Sequence, residues 1–427
     1  MQATRPTRGA TGHVWLFDLL FAGTPAVTWC PAGSLPPGFK RADQFAVLKA
    51  GKGRSFMVSV DTRRGSASAL TAYNALRPGR TRLARRALGL GLRTGVAQHL
   101  VRDKIDIGVA FGVTPDQLAE ELLSQHVRGL VGSDSVVLAF GGGSGPYRKP
   151  VLQVFSAAGT PLAYIKVGWN DWARAAVARE AAALQACSLR KLELGVPEYL
   201  GQSTWRGLDL LVTGPLPAGI RRLDSGTAVP DADVLREISS LTPGFTGELA
   251  ASPWWLGMRE RIDAGRSNPA AGSALERAAA DIERGYGRVP LTFGACHGDL
   301  VPWNLARAGS RLYAWDWESS TALAPLGFDA VHGHFQIAFI ARQLPLAESS
   351  ALAADQAAAT LDALGVPRQA HRLVGILHLL ELAVRHEEAR RSTGDVDVRL
   401  YPAVTGLLER ACLQRGMTGK RSAGRPA

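Results

Sequence analysis

Cys296-His297-Gly298-Asp299-Leu300-Val301-Pro302-Trp303-Asn304, followed by Trp315-Asp316-Trp317-Glu318, is the stretch whose reading decides the fold. Asp299 and Asn304 stand five apart, and Asp316 follows twelve later. Between them, Leu305-Ala306, the turn residues Ala308-Gly309-Ser310 and Arg311-Leu312-Tyr313-Ala314-Trp315 read as a tight β-hairpin that returns Asp316 to the loop. Phosphoryl transfer from a nucleotide needs a carboxylate at the attacking hydroxyl. It also needs an amide oxygen and a second carboxylate to hold Mg2+ on the phosphates. Asp299, Asn304 and Asp316 have the residue types and spacing for these tasks. The bland alternative is a surface loop with an Asx turn, because Asp and Asn are common turn formers.

Residues upstream complete such a set. Val136-Val137-Leu138-Ala139-Phe140 reads as a strand, Gly141-Gly142-Gly143-Ser144-Gly145 follows, and Val151-Leu152-Gln153-Val154-Phe155 returns. Glycines let backbone N–H groups approach phosphate oxygens with no Cβ in the way. Leu162-Ala163-Tyr164-Ile165-Lys166-Val167 reads as a third strand, and the Ala-rich residues 174–184 as a helix on which Glu180 can face Lys166. Such a pair limits the cost of desolvating either charge. Singly, each piece has an ordinary explanation: a Gly run is usually a hairpin turn and a strand Lys a solvated face. The order of Gly loop, Lys, Glu and the Asp–Asn–Asp cluster makes them a set.

On these residues the chain resembles the aminoglycoside phosphotransferase and choline kinase-like family, a small-molecule branch of the protein-kinase-like fold. That family's signature runs His-Gly-Asp, four residues, Asn, then an apolar residue before Asp-Trp-Glu or similar. The resemblance covers about residues 131–335, extends loosely over 336–427 and omits 1–130. It implies an α+β, bilobal fold: a small antiparallel β lobe at 131–217, a larger and mostly helical lobe with the acceptor pocket at 218–427, and an extra basic N-terminal α+β region at 1–130. It implies ATP or GTP as phosphoryl donor, Mg2+ as cofactor, and a hydroxyl of a sugar, amino alcohol or aminoglycoside-like molecule as acceptor.

In that arrangement Asp299 accepts or orients the hydroxyl proton, His297 braces the catalytic loop, and Asn304 and Asp316 hold Mg2+. Lys166, set by Glu180, holds the α/β-phosphates under the backbone of Gly141, Gly142, Gly143, Ser144 and Gly145. Glu318 orients a water on the metal or the loop, and Asp329 caps a helix and ties the loop down. Residues 208–217, an apolar strand ended by Gly and Pro, look like the linker between lobes and read equally well as an ordinary core strand. Glu381, Glu387 and Glu388 could line the acceptor pocket, with exposed salt-bridged faces as the default. The chain also departs from protein kinases. Its glycines lack the G-x-G-x-x-G spacing, Arg148-Lys149 follow them, Asp-Trp-Glu replaces Asp-Phe-Gly, and no Ala-Pro-Glu closes an activation segment.

Composition limits the other possibilities. Apolar content of 46% with 20% charged residues is that of a globular chain. No apolar run reaches the roughly 18 residues of a membrane span, and residues 13–29 are broken by Asp18, Gly23 and Pro25. Cys30, Cys187, Cys296 and Cys412 are scattered without a C-x-x-C pair, which argues for free thiols in a reducing cytoplasm and against a zinc site.

The net charge of +12 is uneven. Residues 1–130 carry 18 Lys/Arg against 8 Asp/Glu, residues 131–229 carry 10 against 7, and residues 230–427 carry 21 against 22. The densest patch, Arg77-Pro78-Gly79-Arg80-Thr81-Arg82-Leu83-Ala84-Arg85-Arg86, continues through Arg93, Arg102 and Lys104. As a basic amphipathic helix it could touch an anionic membrane or an acidic polymer. A solvated helix face is the simpler account. No nucleic acid is expected, because no aromatic platform or known motif accompanies the charge.

Two non-enzymatic readings therefore stand beside the kinase: a catalytically silent nucleotide-binding regulatory module, and a membrane- or envelope-associated scaffold using the basic region. Along that region, residues 45–60 read as a hairpin and 67–76, 80–101 and 114–125 as helical, with residues 1–12 and 416–427 as frayed tails.

Overall fold

The computed structural model describes residues 12–49, 55–72, 89, 91, 93, 103–142, 149–223, 229–265, 269–393 and 403–418. The chain divides into two compact units, Met1–Val177 with Pro197–Leu216, and Ala178–Val196 with Pro217–Ala427. Most of the basic stretch at 77–104 lies outside the described residues; of the expected helix at 80–101 only residues 89, 91 and 93 are described, and they are helical. Of the expected C-terminal tail, residues 416–418 belong to the helix Ala403–Thr418.

The first unit is built on one sheet. Strands β1 (Val27–Pro31), β2 (Phe39–Lys49), β3 (Ser55–Ser59), β4 (Lys104–Ala110), β5 (Val136–Gly142), β6 (Val151–Ser156), β7 (Pro161–Gly168), β8 (Tyr199–Trp205) and β9 (Leu208–Thr213) form nine strands in the order β1-β4-β2-β3-β5-β6-β7-β9-β8. All of these neighbours pair antiparallel. The β3–β5 seam, with Met57 opposite Phe140 and Val58 opposite Ala139, puts strands from either side of residue 130 in the same sheet.

Side chains alternate across a strand, so one sheet can serve two cores. Phe45, Val47, Met57, Leu138 and Phe140 share a core with Leu16, Phe17, Leu20 and Phe21 of the helix Gly12–Phe21. Ala46, Phe56, Val58, Val137, Ala139 and Phe155 share the other with Ala67, Ala69 and Leu70 of the helix Arg63–Ala72. Fully burying each such Phe stabilises the fold by about 1.5–3 kcal/mol. Thr114 caps Pro115–Glu121 in a capping box with Gln117. The helix expected through residue 125 breaks at extended Leu122 and restarts as Leu123–Val131.

Asp43 on β2 is buried in this unit, and the Ser124 hydroxyl donates to it at 2.7 Å. Burial pushes its carboxyl up from 3.8 to about 6. A raised carboxyl favours the folded state fully below pH 3.8, and that contribution is lost as pH rises through about 6. Asp43→Asn is therefore expected to raise the melting temperature above pH 7, by up to about 3 kcal/mol of stability, and to give no gain below about pH 4. Thermal unfolding across pH checks this: a variant that gains nothing at neutral pH would show that Asp43 is not ionised at a cost there.

The second unit sets two small sheets among helices. Strands β10 (Arg221–Arg222), β13 (Leu305–Ala308) and β14 (Arg311–Ala314) form one, and β11 (Phe245–Glu248), β12 (Pro290–Cys296) and β15 (Thr321–Pro325) the other. Ser252 caps the helix Pro253–Asp263, whose Trp254 and Trp255 are buried core anchors. The helices Phe328–Gln336 and Arg368–Thr393 carry the groups that hold the loop after β12.

Candidate active site

Strand β12 ends at Cys296, and the chain then turns through His297-Gly298-Asp299. Three supports fix this loop. The Asp329 carboxylate accepts from the backbone N–H groups of both His297 and Gly298 at 2.8 Å. Asp329 is not the helix cap that its position suggested: Gly327, at φ +94°, precedes the first helical residue, and the buried Asp329 side chain turns back to the loop.

Arg385 is the second support. Its Nη1 donates to the Gly298 carbonyl at 3.0 Å, its Nη2 to the Ser319 carbonyl at 3.3 Å and its Nε to Glu381 at 2.6 Å. Gly298 is required here twice over, since its φ is +76° and a Cβ would meet the Ser319 oxygen at 2.1 Å. The third support is His297, wholly buried and 4.4 Å from the Trp317 ring centroid. Its Nδ1 accepts from the Asp299 N–H at 3.3 Å while Nε2 reaches the Trp315 carbonyl at 3.2 Å. Burial pushes His297 below the ordinary histidine range, and a neutral ring with hydrogen on Nε2 satisfies both contacts. The ring braces the loop against the strand that leads to Asp316.

Asp299 itself stays reachable, its side chain 31% exposed. Asn304 Nδ2 donates to its carbonyl at 3.1 Å and to its Oδ2 at 2.9 Å. The hairpin runs as its letters suggest: Leu305 pairs with Ala314 and Ala308 with Arg311, and Gly309 supplies the positive φ of +59° that the turn requires. Trp315 N–H closes the base on the Asn304 carbonyl at 3.2 Å. Asp316 then adopts φ +71°, a conformation that a non-glycine residue takes at some cost in strain.

Carboxylate oxygens of Glu180, Asp316 and Glu318 lie within 4.8 Å of one another. Arg179, beside Glu180, donates from Nε to the Glu318 carbonyl at 2.9 Å and so joins the helix Asp171–Ser188 to this turn. Such an all-oxygen, anionic donor set suits a hard divalent cation such as Mg2+. Sequence reasoning gave Glu180 to Lys166 alone and missed its place beside the two other acids.

In the sheet unit, Gly141 and Gly142, expected in a glycine loop, are strand residues of β5, opposite Phe56 and Ser55. Gly143, Ser144 and Gly145 lie outside the described residues. Lys166 sits on β7 between Val151 and Leu211 of the flanking strands.

The chain is similar in structure to solved small-molecule kinases. The apo form of a thermostable mutant of aminoglycoside phosphotransferase APH(4)-Ia matches with TM-score 0.46 and 11% identity, over 69% of this chain and 99% of that one. An amicoumacin kinase in complex with AMP-PNP, Ca2+ and Ami matches with TM-score 0.39 and 11% identity, over 63% and 85%. A glucosamine kinase matches with TM-score 0.31 and 16% identity, over 62% and 75%. No protein-family model and no curated protein matches the sequence. The roles of individual residues therefore rest on the geometry of this chain.

All three C-terminal glutamates form the salt bridges that were the default, and two of them differ from it in burial. Glu381 and Glu387 are buried, not exposed. Glu381 pairs with Arg261 and Arg385, Glu387 with Arg390, and Glu388 with Arg261, at 2.6–2.8 Å. Cys296, beside the loop, is a buried thiol pushed well above the ordinary range by burial and then by Asp329, which suits packing and not nucleophilic work. His332 and Arg385 touch the loop but went unread, since neither belongs to a local motif.

Proposed function

We propose that the protein is a phosphotransferase that moves the γ-phosphoryl group of ATP or GTP to a hydroxyl of a small molecule. The observation that carries this is a partly exposed Asp299 on a loop fixed at three points, one hairpin away from the acidic trio of Glu180, Asp316 and Glu318. Asp299 would orient the incoming hydroxyl in line and take its proton as oxygen bonds to the γ-phosphorus and the bond to the bridging oxygen breaks. Glu180, Asp316 and Glu318, with the amide oxygen of Asn304, would hold Mg2+, which when bound neutralises charge on the phosphates. Lys166 would hold the α/β-phosphates. Buried free thiols at Cys187 and Cys296 agree with a reducing, cytoplasmic setting.

The acceptor we favour is uncharged. A polycation would need acidic groups not already engaged, and Glu381, Glu387 and Glu388 are each bound to arginine. Nucleotide consumption against sugars, amino alcohols and aminoglycosides tests both parts of the proposal. A neutral polyol or sugar is expected to raise consumption, and Asp299→Ala to abolish the increase. A panel in which only aminoglycosides respond would reverse the choice of acceptor. Undiminished response in Asp299→Ala would remove the mechanism.

A further inference from the structure

Asp299 takes hydrogen bonds on both carboxylate oxygens, from Asn304 on Oδ2 and from His332 Nε2 on Oδ1 at 3.1 Å. His332 lies three residues past Asp329 on the helix Phe328–Gln336. One helix face therefore holds the loop's backbone through Asp329 and its reactive side chain through His332. Next to His332 stands His378 of the helix Arg368–Thr393, with Nε2 3.1 Å from His332 Nδ1. Both rings are nearly sealed from solvent, at 7% and 4% exposure. Phe328 and Phe335 flank His378, with centroids at 6.2 and 5.6 Å. Burial pushes His378 well below the ordinary histidine range, so this ring is neutral.

The hydrogens can then be placed. A carboxylate oxygen only accepts, so Nε2 of His332 carries a hydrogen. In a neutral His332, with one donor and one acceptor, Nδ1 accepts and the hydrogen between the rings belongs to His378.

We propose that His332 is a neutral positioning residue for Asp299 and that His378 sets the His332 tautomer, the two rings forming a one-way chain of donors that ends on Asp299 Oδ1. This rests on Asp299 being the group that meets the hydroxyl. With one oxygen held by His332 and the other by Asn304, the carboxylate plane is set before an acceptor arrives. Displacement of a reacting group by about 1 Å can cost about 10²-fold in rate. The opposite His332 tautomer would turn a lone pair toward Oδ1 and drive the carboxylate out of place.

Two measurements on the full-length protein test the proposal. The first is nitrogen-detected NMR of labelled histidines near neutral pH, assigned with His332→Gln and His378→Phe, and it needs no turnover. Both rings are expected neutral with hydrogen on Nε2, and His378→Phe is expected to leave His332 as a mixture of tautomers. An imidazolium at His332, or hydrogen on its Nδ1 alone, overturns the chain.

The second is the slow hydrolysis of MgATP with water as acceptor, read as separate kcat and KM. His332→Leu is expected to lower kcat by about 30-fold with the KM for ATP within about twofold, and His332→Gln, which keeps a donor, to stay within about fivefold of the parent. His378→Phe should lower kcat about tenfold in the parent and not at all in the His332→Gln background, because an amide has no tautomer to set. Equal losses in both backgrounds would reduce His378 to packing and overturn its role. Parent-like hydrolysis in Asp299→Ala would remove the Asp299 assignment, whereas loss there with a normal His332→Leu would remove only the positioning claim.

Discussion

Asp299→Ala lowers turnover by about three orders of magnitude and leaves nucleotide affinity within about twofold. The expectation follows from what the side chain does and does not support. Asp329, Arg385 and His297 hold the loop through its backbone and through groups other than the Asp299 carboxylate. Asn304 keeps its bond to the Asp299 carbonyl, which the substitution preserves. His332 loses a partner, but Asp299 is 31% exposed, so water can replace the lost oxygen and melting should move by only a few degrees. The acidic trio does not include Asp299, so nucleotide should bind as before. Steady-state turnover with calorimetric nucleotide titration separates the two quantities. A variant that turns over like the parent would take Asp299 out of the reaction; one that also fails to bind nucleotide would show that the loop had moved.

The contrast with Asp316→Ala sharpens the assignment. Asp316 belongs to the acidic trio, so its loss should weaken nucleotide binding in the presence of Mg2+ as well as turnover. Magnesium-dependent nucleotide affinity equal to the parent's would place the cation elsewhere.

What the letters revealed and what they hid divide along contact range. The hairpin Leu305–Ala314 was legible because a two-residue turn with glycine at positive φ fixes its own register. The loop was legible because Asp299 and Asn304 are five residues apart and bond directly. The remaining supports reach the loop across 33 residues for His332 and 87 for Arg385, and the His332–His378 contact spans 46. A helix reveals from its own period which face is apolar, but not which distant polar group that face will meet. Glu180 shows the limit: its helix was readable, its neighbours Asp316 and Glu318 were not.

The sheet unit repeats the lesson. Each of β5, β6 and β7 has a readable run of apolar and β-branched residues, yet the seam joining β3 to β5 depends on tertiary pairing. The helix Gly12–Phe21 escaped notice because its apolar residues lie all around it, leaving no polar stripe to give a period.

Arg385→Met costs about 3–5 kcal/mol of stability, because it leaves Glu381 buried with half of its compensation gone. Burial alone would raise the Glu381 carboxyl, yet Arg385 and Arg261 together hold it down to about 2. A depressed carboxyl stabilises the fold fully above its unfolded value of 4.5, and that contribution disappears as pH falls through about 2. In the variant the carboxyl moves back up, so acid unfolding begins at a higher pH. Lys at 385 should not rescue, since a single ammonium on a flexible stem cannot match a planar fork that reaches Glu381, Gly298 and Ser319 at once. Removing both charges in Arg385→Met with Glu381→Leu should recover most of the loss, because Arg261 keeps its two bonds to Glu388. Turnover should nevertheless stay low in the double variant, where the Gly298 and Ser319 carbonyls still lack their clamp. Urea unfolding at neutral pH, paired with activity at a temperature where every variant is folded, separates the two roles. Stability restored together with activity would reduce Arg385 to a counter-ion for Glu381 and free the catalytic loop from it.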